Sequence, residues 1–152
     1  MPVDMDVRGL AEAKQKMQQV ITDLRGEEFA QGMRDATMIV TRDAKVNAPV
    51  DMGGLRASIT PDLRQDGNSV LGVVGSNKRQ AAAMETGTKP FWPPIAALET
   101  WARRHGTTAF VVARAIARRG IRGRRYLQRA FEKNQEVIKR KLGDVVGRIA
   151  KK

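Results

Sequence analysis

The stretch Ala48-Pro-Val-Asp-Met-Gly-Gly-Leu-Arg-Ala-Ser-Ile59 divides a long helical run from a run with strand and turn character. Pro49 lacks an amide proton and biases Ala48 away from helical angles, so a helix arriving from upstream stops at about Asn47. Asp51 is placed to cap the next turn, its carboxylate accepting from the amide of Gly53 or Gly54. Those two glycines permit a positive φ. Leu55, Ala57 and Ile59 alternate with Arg56 and Ser58, which is strand periodicity. No nucleophile is paired with a base here, and the segment reads as a helix-to-strand corner.

Upstream of the corner, Phe29, Met33, Ala36, Val40 and Ala44 form a stripe at helical spacing, predicting a helix from Glu27 to about Val46. Glu27 and Glu28 suit the positive end of its dipole. A shorter amphipathic helix is expected from Leu10 to about Leu24, closed by a C-cap at Arg25-Gly26. Before it, Val3, Met5 and Val7 alternate with Asp4, Asp6 and Arg8, the pattern of a half-buried strand.

Downstream, Leu55–Leu63 and Ser69–Gly75 read as the arms of a hairpin joined by Asp66-Gly67-Asn68. Pro61 argues for an edge position or a bulge in the first arm. A hairpin alone is marginal, so the N-terminal strand and Ala81–Glu85 are expected to complete a small antiparallel sheet. Met84–Thr88 reads as the end of a strand or as a short helix, turning on Gly87. Further helices are predicted over Ile95–Arg104 and roughly Thr108–Arg119, and from Arg124 or Tyr126 towards the end of the chain. Gly120-Ile-Arg-Gly123 reads as a flexible basic link between the last two. Gly143 and Gly147 each cost the final helix about 1 kcal/mol against alanine, so its last turns are expected to fray unless a neighbour holds them. The fold class is α+β: a small antiparallel sheet covered by several helices, with a long C-terminal helix, in one domain spanning 1–152.

Length and composition permit this, since 152 residues hold a core without staples and the chain has no cysteine. No apolar run reaches the ~18 residues of a membrane span, and the first residues lack a signal-peptide pattern. A cytoplasmic site of synthesis is therefore expected. Charge is divided unevenly. Residues 1–100 carry 12 basic against 13 acidic side chains, whereas residues 101–152 carry 16 against 3. Arg114, Arg118, Arg119, Arg122, Arg124, Arg125 and Arg129 crowd one helix-loop-helix junction. Guanidinium forks suit phosphate, and this cluster is the candidate contact for DNA or for an acidic partner surface. A solvated helical face is the plainer alternative. With no recognisable base-reading motif, any nucleic-acid contact would be to the backbone and steeply salt-dependent.

Catalytic signals are lacking. The single histidine, His105, follows Arg103-Arg104 at a helix end, where a cation is favoured by the dipole alone. No Walker loop is present and no carboxylate pair stands out. Neither enzymatic activity, nor a cofactor, nor a metal is expected. Phe91 and Trp92 lie in a stiff proline-rich segment and are candidate packing or interface anchors, as are Trp101 and Tyr126.

In order, these marks resemble the tail-completion, or minor tail component, proteins of long-tailed phages. Members open with a strand and "GL", similar to Val7-Arg-Gly-Leu10. They carry a motif close to "A-x-x-x-A-P-V-D-T-G-x-L-R-x-S-I", matched here over Ala44–Ile59 through Pro49, Asp51, Gly53, Leu55, Arg56 and Ser58. An "E-x-G-T" mark is similar to Glu85-Thr-Gly-Thr88, with Glu85 and Gly87 as its fixed positions. Ala109-Phe-Val-Val-Ala-Arg-Ala-Ile116 and Tyr126-Leu-Gln-Arg-Ala130 look like the later helices of longer members. Met52 and Gly54 depart from the pattern, and Met52 removes a hydroxyl that could have capped the turn. The resemblance implies a structural virion protein of the head-tail neck, made in the host cytoplasm and assembled as a hexameric ring. Its implied partners are copies of itself, other neck and tail proteins, and genomic DNA in the ring's lumen.

Overall fold

The computed structural model describes residues 8–24, 26–66 and 69–151. Two long helices carry the fold, α2 (Glu27–Asn47) and α7 (Tyr126–Ala150). The expected N-terminal strand at Val3–Val7 and the Gly67-Asn68 turn lie outside the described residues.

The two long helices run antiparallel along most of their length, and three contacts set their register. Glu28 meets Arg148, Gly32 lies under Val145, and Asp43 faces Lys133 and Asn134. Small side chains permit this close approach: Ala30, Ala36 and Ala44 of α2 are buried, as is Ala130 of α7. The distance between packed helices is set by the size of the side chains at their contact. The same seam keeps α7 intact to Ala150, through both Gly143 and Gly147, because Val145 and Ile149 are buried. The expected fraying is therefore absent.

At the Asn47 end of α2 the chain turns as its proline requires. Ala48 is extended (φ −65°, ψ 137°), and its amide still donates to Ala44. The strand expected from Leu55 does not start there. Gly53 adopts φ 78° and starts a short helix, α3 (Gly54–Ser58), and the strand begins only at Ile59. Leu55 and Ile59 are buried while Ala57 is exposed. Apolar residues at i and i+4 satisfy a helix face as well as an alternating strand, and the solvated i+2 residue decides for the helix. Ser58 closes the corner, donating to the Leu55 carbonyl at 2.8 Å and accepting from the Ser76 hydroxyl at 2.7 Å.

Strands β1 (Ile59–Asp66) and β2 (Ser69–Ser76) form an antiparallel hairpin lying across α2, with Ile59 opposite Ser76 and Asp66 opposite Ser69. Pro61 pairs with Val74, and in a two-stranded ribbon it has a free edge to face. Among the described residues the sheet has these strands only. Ala81–Glu85 does not join it. Those residues form α4 (Gln80–Thr86), as a run of alanines flanked by glutamine, methionine and glutamate favours.

The core lies where α2, the corner, β1, α4 and α7 converge. Val40, Ala44, Leu55, Ile59, Ala81 and Tyr126 are its centre. Ile59 and Tyr126 are fully buried, and burial of the Ile59 side chain contributes about 1.5–3 kcal/mol of hydrophobic stabilisation. Helix α1 (Arg8–Asp23) touches α2 and α7 only lightly, so Met17 and Ile21 of its apolar stripe stay exposed. Gly26 (φ −76°) starts α2; it does not end α1 in a left-handed cap.

Candidate functional site

Helices α5 (Ile95–Arg104) and α6 (Ala109–Arg119) pack on each other and on little else, forming an arm that leaves the body after Gly87 and returns at Gly120. Ala102, Ala109 and Ala113 are buried at their contact, and the Thr108 hydroxyl caps α6 by accepting from the amide of Val111.

The arm's two roots are fastened together. The Thr88 amide donates to the Ile121 carbonyl at 2.9 Å, and the Ile121 amide returns to the Thr88 hydroxyl at 3.0 Å. The amides of Arg124 and Arg125 donate to the carbonyls of Met84 (2.7 Å) and Glu85 (2.9 Å). Gly87 and Arg122 pair as an antiparallel bridge. Gly87 (φ 81°) and Gly120 (φ 70°) are left-handed, and a Cβ on Gly120 would stand 2.0 Å from the Thr88 carbonyl oxygen. Only glycine fits there.

Glu85 completes this clasp. Its carboxylate accepts from the amides of Leu127 at 2.8 Å and Gln128 at 2.9 Å, the first turn of α7. The N-cap of α7 is Arg125, a non-glycine residue held at φ 52°, whose side chain has no acceptor to offer. Glu85 supplies that acceptor from 42 residues upstream, and its charge suits the positive end of the helix dipole. The Glu85–Thr88 mark and the Gly120–Tyr126 segment are thus two halves of one device. The basic link, expected to be flexible, is pinned along its length.

This fixes how the arginines are presented. Arg114, Arg118, Arg119, Arg122, Arg124, Arg125 and Arg129 are all exposed. None forms an ion pair with another described residue. Arg122 and Arg124 lie two apart on the extended strap, and Arg125 and Arg129 four apart at the start of α7, spacings that repeat along one side. Seven guanidinium groups without an ion-pair partner among the described residues, on a fixed backbone, make a surface suited to phosphates or carboxylates.

The other sequence candidates separate into two groups. Phe91, Trp92 and Trp101 are partly exposed on the arm. Trp92 meets Phe110 edge-to-face at 5.8 Å, and Trp101 stacks on His105 at 4.0 Å. Tyr126, expected at an interface, is instead in the core, and its hydroxyl has no hydrogen-bond partner among the described residues. Burial, and then the charge of Glu85, push its pKa above the usual value of 10.0. Tyr126 sits at the first residue of a helix in a basic segment, and only the folded core shows that its ring points inward. Of the corner motif, Leu55 is core and Ser58 a tie to the hairpin, while Arg56 is solvated. Pro49 and Gly53 shape the backbone. Asp51 does not cap the turn; its carboxylate accepts from Arg104 of the arm, which also reaches the Met52 sulfur.

Nothing in the sequence singles out Asp43. It is buried between α2 and α7, accepting from the Asn134 amide at 2.8 Å and from Lys133 at 3.0 Å. Those hydrogen bonds hold its carboxyl below the usual aspartate value of 3.8. Separated by 91 positions, Asp43 and Asn134 leave no local signal. Among the described residues no cluster of His, Asp or Glu has the makings of a metal site, and no helix is long and apolar enough to cross a membrane.

Residues 10–87, half of the chain, match the family model described as "Bacteriophage HK97-gp10, putative tail-component", and the chain belongs to that family. It is a phage tail component, and so a part of the virion that meets other tail proteins. No curated protein and no solved structure matches it. The matched segment runs from α1 to the Gly87 turn, so the arm and α7 lie beyond it.

Proposed function

We propose that this tail component acts at the head-tail junction, where identical copies form a ring that completes the tail and connects it to the head. The observation that carries the reading is the pinned basic strap. Exposed arginines, spread over a segment that glycine turns and the Glu85 cap hold in place, offer every copy the same cationic surface. Arranged around a ring, that surface suits DNA crossing the lumen or the acidic faces of adjoining neck proteins. Catalysis has no part in this reading. Side-chain-resolution imaging of intact particles is the direct test, with the chain expected as a ring between tail tube and head. Deletion of the gene is expected to leave tails and filled heads unjoined. Infectious particles with normal necks after a clean deletion would sink the proposal.

A second reading, a free protein that binds nucleic acid without sequence preference, draws on the same exposed arginines. It requires tight duplex binding by the isolated monomer at physiological salt. Each phosphate contact contributes a salt slope of about −0.9 in log K against log salt, so a salt titration separates the two readings.

A further inference from the structure

The strap and its flanks differ from the rest of the chain in the cation they use. Residues 101–131 hold nine arginines, no lysine and no acidic side chain, whereas the other residues hold nine arginines and ten lysines. Both side chains carry the same charge, so the choice bears on hydrogen-bonding geometry. A guanidinium fork takes two oxygens of one phosphate, while an ammonium is a point charge. The carboxylates nearest in the fold leave that charge uncompensated. The strap is tied to Met84–Thr88 and to the first turns of α7, which contribute Glu85 and Glu132. Glu85 is taken up by the amides of Leu127 and Gln128, and Glu132 accepts from the Gln128 side chain. Lys89, whose backbone adjoins Gly120, adds a further cation.

Spacing and surroundings decide which polyanion fits. Along the strap Ile121 and Gly123 are half-buried while Arg122 and Arg124 are exposed, so two guanidinium groups leave one side, about 6.6–6.8 Å apart at their roots. Arg114 and Arg118, like Arg125 and Arg129, stand four apart in sequence, which on a helix is about 5–6 Å between Cβ atoms. Both steps are close to that between successive phosphates of one nucleic-acid strand. A protein partner would need something else, since specific protein interfaces centre on apolar and aromatic groups. Between Val111 and Phe131 no large apolar side chain is exposed. Surfaces that take nucleic acid are more polar and far more positive, as this one is. The one aromatic ring within that span, Tyr126, is in the core, so the strap has no platform on which unpaired bases could stack.

We infer that the strap binds the sugar–phosphate backbone of duplex DNA, without reading its sequence, through Arg118, Arg122, Arg124, Arg125 and Arg129. This rests on the reading of the strap as the working surface of the tail component, and it chooses DNA over an acidic protein face. The clasp holds the strap's backbone in place beforehand, so little freedom is lost on contact.

Binding of the full chain to a short labelled DNA duplex, followed by fluorescence anisotropy through a salt titration, tests this. With about four phosphates engaged, affinity is expected to fall about 100-fold between about 50 and 200 mM salt, a log-log slope of about −0.9 per contact. Arg122→Gln combined with Arg124→Gln is expected to reduce the slope by about two, equally for duplexes of different sequence. Both side chains are exposed and form no ion pair among the described residues, so the urea midpoint should stay where it was. Arg140→Gln combined with Lys141→Gln removes the same charge from exposed positions in the second half of α7, and should leave the slope nearly unchanged. Equal losses from the two variants would show diffuse attraction to the whole basic third and overturn the inference. Polyglutamate displacing the duplex at a matched concentration of charge would overturn it too, by assigning the strap to an acidic protein surface. A single strand held more tightly than the duplex would have the same effect. Ring formation is read separately, in micrographs of the same preparations. Without strap-dependent binding the inference fails whether or not rings form. Strap-dependent binding by a chain that never closes a ring would support it and count against the ring alone.

Discussion

Two turns of this chain, the Asp51 corner and the Glu85 clasp, have the same ingredients: a carboxylate, one or two glycines and a helix to follow. At the corner, every local rule favours Asp51 capping the short helix three residues on, yet its carboxylate points away to Arg104 of the arm. At the clasp, Glu85 has no suitable helix start nearby, yet it caps α7 through two amides. The corner is a local structure, set by Pro49 and the left-handed Gly53. The clasp is tertiary: it joins segments more than thirty residues apart and fixes the arm, the strap and α7 together.

If that contrast is right, the clasp should be far more sensitive than the corner. Gly120→Ala places a Cβ against the Thr88 carbonyl at a left-handed residue, and a loss on the order of 3 kcal/mol is expected in urea unfolding. A loss below about 1 kcal/mol would mean that the strap moves freely, and the clasp would lose its meaning.

Asp43 supplies a buried reference for both turns. Asn134→Ala removes its main donor and should cost about 1.5–3 kcal/mol, the range for a hydrogen bond to a charged group. The folded pKa of Asp43 lies below 3.8, so its contribution is complete above that pH and is lost as pH falls through the lower folded value. In Asn134→Ala the two values converge, and the acid dependence of stability below about pH 4 should flatten. An unchanged acid limb would show that Asn134 does not set the titration.

Glu85→Ala leaves two amides of α7 uncapped and is expected to cost about 1–2 kcal/mol. The sharper readout is amide exchange at Leu127 and Gln128, which should quicken ahead of the rest of the helix. Exchange rates matching those of the unmodified chain would place the cap elsewhere. Asp51→Ala should matter least. The ion pair it removes is more than one-third exposed on both partners, and such pairs contribute about 0–1 kcal/mol. A cost near ~2 kcal/mol, insensitive to salt, would restore Asp51 to the capping role and erase the contrast.

Much of the fold is legible in the chain because it depends on neighbours. The Glu27–Asn47 helix shows in its stripe and in Pro49 at its end, Ile95–Arg104 in the prolines before it, and the hairpin in its turn residues and alternating apolar positions. The family resemblance is legible in the same way, and the match over residues 10–87 bears out the family; the marks at Ala109–Ile116 and Tyr126–Ala130 lie beyond it. Leu55–Ser58 misleads because a short segment with apolar side chains four apart fits either period. Ala81–Glu85 reads as a strand only for want of a third one, against its own helical propensity. Tyr126 reads as one of the aromatic anchor candidates, while its burial comes from elements far away in the chain.

The sequence by itself determined the longer helices, the corner's proline stop and the concentration of arginine in the last third, since propensity, periodicity and composition act within a few residues. Only the tertiary structure decided which carboxylate caps which helix, that the strap between α6 and α7 is pinned, and that Tyr126 faces inward. A hydrogen-bond donor takes its acceptor from whatever the fold brings within reach, and separation along the chain does not enter that choice.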